Sequence, residues 1–342
     1  MSPSPDKRTR FAMAPMPTSF VLGLVVTVAS YASRSDAYTS PMFQASTPMQ
    51  KTAPSKTEGV EIELPNFDEL FNRIQQVSPL ARVAMEGGGN GEERGFAAAG
   101  ESWSADLGWK KMEANSRRPV HKIDKIDNFQ NLNSPMLRFR STINGPCVGE
   151  RFANFIMTLE EREKWDQSIA EVQEIYPIYD LDAANIAMGF GKYGDCSRLG
   201  VGYCRTKPAF GVTSREQLTL CGIQDFPDGS CMIWGTEMEE WHNHLLPDGE
   251  RHVRAKSHLF STTLVPTGPD SFDAEYVLQL DIGGKMPTWI TTPVICESVK
   301  CLFSHAKSYF EEGEGGALDK HIKEMEAQND TFENRNGILF TP

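Results

Sequence analysis

Three histidines and a glutamate between residues 242 and 252 have the donor types of a metal site. His242, His244, Glu250 and His252 resemble the ligand set of a cupin-type centre. The gap from Gly235 to His242 and the gap from His244 to Glu250 are each a residue too long for that motif. A loop cannot align three ligands without hydrogen bonds that orient the ligands themselves. We therefore predict that these residues do not bind a metal ion.

Residues 189–194 have the pattern Gly-x-Gly-x-x-Gly, with which dinucleotide-binding loops approach a phosphate. Such a loop joins a strand to a helix within a βαβ unit. No helical pattern follows Gly194, and no βαβ unit surrounds the run. We therefore predict a hairpin or a bulge at these glycines, and no nucleotide cofactor.

The sequence shows no recognisable arrangement of acid, base and nucleophile. Ser261, His258 and Asp281 do not have the spacing of a catalytic triad. Asp166 and Asp281 have the chemistry of an acid and a base, but nothing brings a nucleophile to either of them. Turns and helix caps explain these aspartates better. We predict a binding protein without catalytic residues and without a cofactor.

The charge of the chain is unevenly distributed. The net charge is −12, which argues against nucleic acid as a partner because phosphate binding needs a basic surface. Residues 1–56 carry six basic and two acidic side chains, a net of +4, so that the remainder carries −16. The body of the protein is therefore acidic and follows a basic leader.

The seven cysteines do not indicate a disulfide framework. Their number is odd, and the sequence contains no Cys-x-x-Cys. We predict reduced and largely buried thiols. If any two cysteines form a disulfide, we expect them to be Cys196 and Cys204, which flank a glycine-containing stretch.

The beginning of the chain has the composition of a targeting sequence. A basic cluster precedes the apolar run at residues 20–29, and small residues follow as far as Ala37, which is the layout of a signal peptide. Residues 38–56 contain no acidic side chain and are rich in Ser, Thr and Pro, which is typical of a transit peptide. Together they resemble the bipartite presequence of algae with secondary plastids and predict a plastid protein. Secretion or an endomembrane location is the alternative.

These compositions set the expected domain boundaries. We assign residues 1–37 to a signal peptide, residues 38–85 to a transit peptide or an amphipathic helix, and residues 86–100 to a flexible linker. The folded domain is expected at residues 101–312, and a polar tail at residues 313–342. The helical spacing of apolar residues from Phe67 to Val77 leaves open whether that helix is peripheral to the domain or part of the presequence.

Strands separated by turns and followed by a long helix predict an α+β domain. Pro-Asp-Gly at residues 227–229 and again at 247–249 marks tight turns, because proline fixes φ and glycine accepts positive φ. Residues 276–282 alternate between two faces, as in a strand. The apolar residues from Ile295 to Phe310 share one helix face, with Thr292 as the expected N-cap. We predict an antiparallel sheet with one long C-terminal helix on its apolar face.

Four segments resemble motifs of the START domain, the steroidogenic-acute-regulatory-related lipid-transfer family, in the same order. Trp165-Asp166 resembles the Trp-Asp at the end of the family's second helical region. Residues 212–218 resemble its Ser-Pro-Arg-Asp-Phe-Val, with Glu in place of Asp and without Pro. Residues 249–255 resemble its Gly-x-Val-Arg-Ala, and residues 280–290 resemble its Asp-x-Gly-Gly-x-Pro-x-Trp. The resemblance extends over roughly residues 103–312.

The resemblance implies a helix-grip fold, in which a curved antiparallel sheet surrounds a long C-terminal helix and encloses a tunnel for one hydrophobic molecule. The helix would act as a lid, and the loop before the Val-Arg-Ala strand would touch membranes. The chain departs from the family at Cys221, where many members have Arg, which puts sterol or phosphatidylcholine specificity in doubt.

The resemblance also implies the site residues. Arg254 is the first candidate for binding a lipid headgroup, with an ion pair to Glu237 or Glu239 as the alternative role. Tyr276 or Gln279 would supply a second contact. The expected lipid-binding set is Arg254, Glu237, Trp234, Tyr276, Gln279, Phe303, Ala306 and Phe310, and the expected membrane-contact loop presents Trp241, Leu245 and Leu246.

The sequence thus predicts a monomeric protein that binds one lipid and transfers it between membranes through transient contact with their surfaces. An enzyme of the cyclase or hydrolase type on a related helix-grip fold is one alternative, and it would need an acid–base pair inside the cavity. A sensor whose lipid occupancy controls a partner is the other. The sequence does not specify which lipid is bound.

Overall fold

The computed structural model describes most of the chain between residues 62 and 311. Its description leaves out residues 1–61, 63, 88–93, 101–106, 113–121, 178–180, 190, 209–212, 248–251, 285–286 and 312–342, together with most of 148–167. The expected signal peptide, most of the expected transit peptide and the polar tail therefore lie outside the described residues.

Within the described residues, ten strands form one curved sheet in the order β1-β2-β3-β10-β9-β7-β6-β5-β4. The neighbours in this order are antiparallel, and β8 pairs with β6 in parallel. The strands are β1 (Lys110–Lys111), β2 (Lys122–Ile126), β3 (Met136–Asn144), β4 (Ile169–Pro177), β5 (Asp195–Thr206), β6 (Arg215–Asp225), β7 (Cys231–Glu237), β8 (Val253–Arg254), β9 (Lys256–Gly268) and β10 (Ser271–Asp281).

Five helices are defined within the described residues, and two 3-10 turns accompany them. The helices are α1 (Phe67–Val77), α2 (Pro79–Met85), α3 (Gly95–Ala99), α4 (Leu181–Ala187) and α5 (Thr288–Glu311), and the turns are Phe129–Asn131 and Glu240–Leu245. The described residues of the segment 149–162 are also helical. Of the helices in this part of the chain, none has the length and apolar character needed to cross a membrane.

The α+β architecture predicted from the sequence is confirmed. The turn between β6 and β7 is built as expected, because Gly229 has φ of +83° and Asp228 accepts hydrogen bonds from the amide and hydroxyl of Ser230. The apolar residues expected on one face of α5 are buried. The second Pro-Asp-Gly turn extends beyond the described residues.

The predicted start of α5 at Thr292 is wrong. The helix begins at Thr288, and Pro293 lies inside it. The amide of Thr291 donates to the carbonyl of Pro287, which starts the helical hydrogen bonds a turn earlier. Pro293 has no N–H and so cannot donate a hydrogen bond to the carbonyl of Trp289, four residues earlier. Because Pro293 is exposed, that carbonyl is within reach of water.

Both faces of the sheet are covered. We call the side that packs against α5 the inner face and the side that packs against α1 and α2 the outer face. Each face contributes to its own hydrophobic cluster. Consequently most strand residues are buried whichever way they point, as in β6, where every residue from Arg215 to Gln224 is buried.

Helices α1 and α2 belong to the folded body, so the domain boundary predicted at residue 101 is wrong. Asn66 caps α1 by accepting from the amide of Glu69, and the buried side of α1 packs on the outer face. Phe71 is fully buried and lies edge-on to Trp234 of β7. Within the expected linker, the amide of Phe96 donates to Asp273 of β10 at 2.7 Å. The described body therefore begins no later than Phe67.

The described glycines of the run at residues 189–194 lie in a turn between α4 and β5, so the predicted hairpin or bulge is wrong, because a helix and not a strand precedes the run. Gly191 bridges to Gly194, and both have positive φ. The turn presents Lys192 and Tyr193 to Asp68 of α1, with Nζ and the phenol oxygen each 2.7 Å from the carboxylate. These hydrogen bonds lower the pKa of Asp68. The run therefore fastens α1 to the sheet.

Charged side chains are buried between the outer face and α2. Asp124 accepts hydrogen bonds from Arg138 and Arg140 at 2.8 and 2.7 Å. Glu275 accepts from the hydroxyl of Ser78 at 2.6 Å and from the amide of Leu80 at 3.1 Å. Burial raises the pKa of Glu275, and the nearby Arg138 guanidinium opposes that shift. This carboxylate holds the junction of α1 and α2.

All seven cysteines are free thiols, including Cys196 and Cys204. Burial raises the pKa of Cys196 to about 11 and that of Cys147 to about 12. Both thiols are therefore poor nucleophiles at neutral pH.

Candidate functional site

The inner face is an apolar wall opposite α5. Alternate residues of β3, β6, β7, β9 and β10 point to this side, because side chains of a strand alternate between faces. The wall and the helix share one hydrophobic cluster, which includes Leu137, Phe139, Ile223, Ile233, Phe260, Leu264, Tyr276, Leu278, Ile295, Val299, Leu302, Phe303 and Ala306.

Gln217 and Thr219 are polar residues on this apolar wall. On β6, Leu218 and Leu220 belong to the outer cluster while Cys221 belongs to the inner one, so the alternation places Gln217 and Thr219 on the inner face. The Gln217 amide nitrogen donates to the Thr219 hydroxyl at 2.8 Å. The Gln217 amide oxygen is buried and has no hydrogen-bond partner among the described residues. A buried polar atom of this kind requires an explanation.

A buried ion pair lies on the same side of the sheet. Arg162 and Asp166 are fully buried, and their side chains approach to 3.2 Å. Asp166 also accepts from the amide and the hydroxyl of Ser168. Burial raises the pKa of Asp166, and Arg162 and Ser168 oppose that shift. Burial likewise raises the pKa of Tyr276, which the positive charge of Arg162 lowers in turn. The Arg162 charge therefore acts on Tyr276 as well as on Asp166.

Aromatic rings pack at the C-terminal end of α5. Phe310 stacks on Phe152 with ring centroids 5.8 Å apart, and it meets Phe272 edge-on at 5.4 Å. Tyr309 lies 4.8 Å from Phe155. These rings occupy that end of the inner face, while Gln217 and Thr219 lie on β6.

Four of the predicted lipid-binding residues lie on the inner face. Tyr276, Phe303, Ala306 and Phe310 are all buried in the inner cluster. The structure brings the first three together with the apolar wall. Phe310 is engaged by the aromatic rings, so its place is set by packing against them.

Two predicted lipid-binding residues face away from α5, so the prediction that they lie in the lipid site is wrong. Trp234 belongs to the outer cluster and contacts Phe67 of α1. The Gln279 amide nitrogen donates to the carbonyls of Phe129 and Ser134, and its oxygen accepts from Arg73 of α1 at 2.7 Å. Both residues hold the N-terminal part of the body against the sheet.

Glu237 and Arg254 do not pair with each other. Glu237 bonds to Nδ1 of His258 at 2.6 Å, which lowers the pKa of Glu237 against the opposing effect of burial. Arg254 instead donates to the Asn243 side chain. Its register partner on β6 is Glu216, which alternation places on the outer face. The prediction that Arg254 lines the inner site is therefore wrong.

The Glu237–His258 pair is an acid and a base in direct contact. It lies where β7 ends, beside Arg73, which donates to the His258 carbonyl. Among the described residues, no serine, threonine or cysteine side chain is hydrogen-bonded to the His258 ring.

The expected membrane-contact loop is exposed only in part. Trp241 is 46% exposed, whereas Leu245 and Leu246 are buried in the outer cluster. The prediction that the two leucines are exposed is wrong, because the 3-10 turn points them inward. A second tryptophan, Trp289 at the start of α5, is 65% exposed.

Sequence reasoning missed Gln217, Thr219 and Arg162. The alternation of polar and apolar residues along β6 is a usable signal for Gln217 and Thr219. These two residues and Cys221 are spaced two apart, so their side chains point to the same face. Arg162 precedes the Trp165-Asp166 motif by a single helical turn, which is the spacing for an ion pair with Asp166.

Comparison with known proteins gives structural neighbours only. No protein-family model matches the chain, and no curated protein matches it. The structure is similar to human StAR-related lipid transfer protein 5, with a TM-score of 0.47, 16% identity and coverage of 60% of this chain and 87% of the other. Human STARD10 gives a TM-score of 0.44 at 17% identity, with coverage of 64% and 82%. The STAR-related lipid transfer protein of Xanthomonas axonopodis gives 0.41 at 16% identity, with coverage of 58% and 98%.

Proposed function

We propose that the protein binds one lipid between the inner face and α5 and transfers it between membranes. The observation that carries the proposal is the buried amide oxygen of Gln217, which lies on the largely apolar inner face and has no hydrogen-bond partner among the described residues. Leaving such an atom without a partner costs about 1–3 kcal/mol. A ligand with an apolar body and a hydrogen-bond donor satisfies it.

The chemistry of the wall defines the class of ligand. Burying a hydrocarbon chain against the inner cluster is favourable by about 25 cal/mol per Å² of apolar surface. The Arg162 charge is already balanced by Asp166 at 3.2 Å. The site therefore favours a neutral polar group, such as a hydroxyl or an amide, over a phosphate. The START-like motifs support a lipid ligand in general.

Membrane contact is supported by Trp241 and Trp289. The turn that carries Trp241 is joined to β8 by the Asn243–Arg254 hydrogen bond. Gly283, in the loop that leads to α5, packs directly on the carbonyl of Arg254, where a Cβ atom would collide. The 3-10 turn that carries Trp241 and the loop that precedes Trp289 of α5 thus meet at β8. Tryptophan favours the membrane–water interface, so this end of the molecule is the proposed docking end.

The location in a plastid stays a proposal that rests on the leader composition. Fusing residues 1–61 to a fluorescent protein in an alga with secondary plastids tests it, and plastid fluorescence is the expected result. Fluorescence confined to the secretory pathway would contradict a plastid location and indicate secretion or an endomembrane location instead.

The lipid proposal is tested by extracting the purified protein with organic solvent and identifying the extract by mass spectrometry. We expect the extract to contain lipids of one class, at a higher proportion than in the membranes of the expression host. A fluorescent fatty acid should also bind and be displaced by the extract. A lipid-free protein that binds no fluorescent fatty acid would contradict the proposal.

A further inference from the structure

A polar groove lies on the outer side of the molecule, between α1 and the 3-10 turn at Phe129–Asn131. Its volume is about 380 Å³, within the range of about 300–1,000 Å³ for small-molecule sites. Among the described residues, its lining includes four side-chain amides, those of Asn66, Asn72, Gln76 and Gln130, and no apolar side chain. A groove without an apolar wall does not suit an acyl chain.

The charges around the groove disfavour simple ions. Asp68 and Glu69 line it together with Arg73. The carboxylates disfavour a phosphate or a sulfate, and the guanidinium disfavours an ammonium group. Asp68 is moreover engaged by Lys192 and Tyr193. A neutral ligand with many hydroxyls fits this mixture, because amides both donate to and accept from hydroxyl groups.

Two features show that the groove is built rather than incidental. Gln130 has φ of +54°, a left-handed backbone state that is strained for a residue with a Cβ atom, whereas the nearby Asn128 and Asn131, also with positive φ, are of a residue type that adopts it readily. Arg73 is fixed by hydrogen bonds to His258 and Gln279, yet its buried Nε atom has no hydrogen-bond partner among the described residues.

We propose that this groove binds a glycosyl group, through the amides of Asn72, Gln76 and Gln130. The group is either a free sugar or the headgroup of a glycolipid in a membrane. The site is separate from the inner face, and it does not depend on the lipid site proposed above.

The experiment is a saturation-transfer nuclear magnetic resonance titration of the full chain with methyl β-galactoside, methyl α-glucoside and inorganic phosphate. The double variant Asn72→Ala/Gln76→Ala removes two exposed groove amides of α1, and Gln75→Ala removes an amide of the same helix outside the groove. We expect saturable binding of at least one glycoside, weakened about tenfold in the double variant and unchanged in Gln75→Ala.

Vesicles distinguish the two sources of the glycosyl group. Phosphatidylcholine vesicles with and without digalactosyl diacylglycerol are sedimented with the wild-type protein and the double variant. If the protein sediments with vesicles only when the glycolipid is present and the groove is intact, the ligand is a glycolipid headgroup. If the protein binds free glycosides but not these vesicles, the ligand is a free sugar. Absence of both, tighter binding of phosphate, or equal binding by the double variant would overturn the proposal. Lipid extraction from the double variant reports separately on the inner site.

Discussion

Gln217 is the residue on which the proposed lipid site depends most. Gln224 lies on the same strand and is also a buried glutamine with an amide oxygen lacking a partner among the described residues. Alternation along β6 places Gln224 on the outer face, where its amide nitrogen contacts Met188. The two residues therefore form a matched pair that differs in the face to which they point.

We predict that Gln217→Leu lowers the affinity for the natural lipid about tenfold, because the hydrogen bond to the polar group is lost. Gln224→Leu should leave the affinity unchanged. Displacement of a fluorescent fatty acid by the extracted lipid measures both variants. Equal affinities in Gln217→Leu and the wild-type protein would remove Gln217 from the site.

Some site residues could be assigned from the sequence and others could not. Tyr276 and Phe303 lie on the inner face, and each belongs to a long regular element whose apolar spacing indicates one face; that they bind a lipid stays a prediction. Trp234 and Gln279 were placed on the wrong side. Their strands are buried on both faces. Alternation puts Gln279 opposite Tyr276 on β10, but the sequence does not show which of the two faces α5 covers.

At the scale of elements, the junction of α1 and α2 depends on Glu275. The carboxylate accepts from Ser78 and Leu80 at the start of α2. A glutamine oxygen can accept the same two hydrogen bonds, whereas a leucine cannot. We predict that Glu275→Gln changes the free energy of unfolding at neutral pH by about 1 kcal/mol or less, and that Glu275→Leu lowers it by about 2–3 kcal/mol.

The same carboxylate predicts a pH dependence. Burial raises the pKa of Glu275 in the folded state above the unfolded value of about 4.3. The folded state therefore binds this proton more tightly, so the stabilisation from Glu275 is complete below the unfolded pKa and is lost as pH rises through the folded pKa. Urea unfolding at a series of pH values should give a flatter pH dependence for Glu275→Gln. An unchanged slope would contradict the raised pKa.

The covering of the outer face by α1 and α2 predicts the result of truncation. Removing residues 1–100, the boundary expected from the sequence, would expose Trp234 and the other outer residues that pack on Phe71. We expect this truncated chain to aggregate, whereas removal of residues 1–61 should leave a monomer with the thermal stability of the full chain. Size-exclusion chromatography distinguishes the two, and a monomeric, folded chain from residue 101 would contradict the structure.

That boundary could not be read from the sequence because a peripheral amphipathic helix and a presequence helix have the same apolar spacing. What places α1 on the sheet is a set of distant partners, such as Asp68 with Lys192 and Arg73 with Gln279. Such contacts join residues more than a hundred positions apart, and no local sequence pattern predicts them.

At the scale of the whole molecule, the exposed tryptophans predict how the protein meets a membrane. Trp241→Ala and Trp289→Ala should each lower the affinity for phosphatidylcholine vesicles about tenfold, because an interfacial indole is lost. Ile186→Ala is the matched control, since Ile186 is 68% exposed but lies on α4. Co-sedimentation with vesicles measures all three. Loss of binding in the Ile186 variant alone would move the docking end to α4.

The most direct measurement of the central claim is photo-crosslinking of the protein to a fatty acid that carries a photoreactive group in its chain, followed by peptide mapping. A lipid between the inner face and α5 predicts crosslinks in β6, in β10 near Tyr276 and in α5 near Phe303, at one lipid per chain. Crosslinks confined to the outer face and α1, or none above the level of a denatured control, would contradict the lipid site.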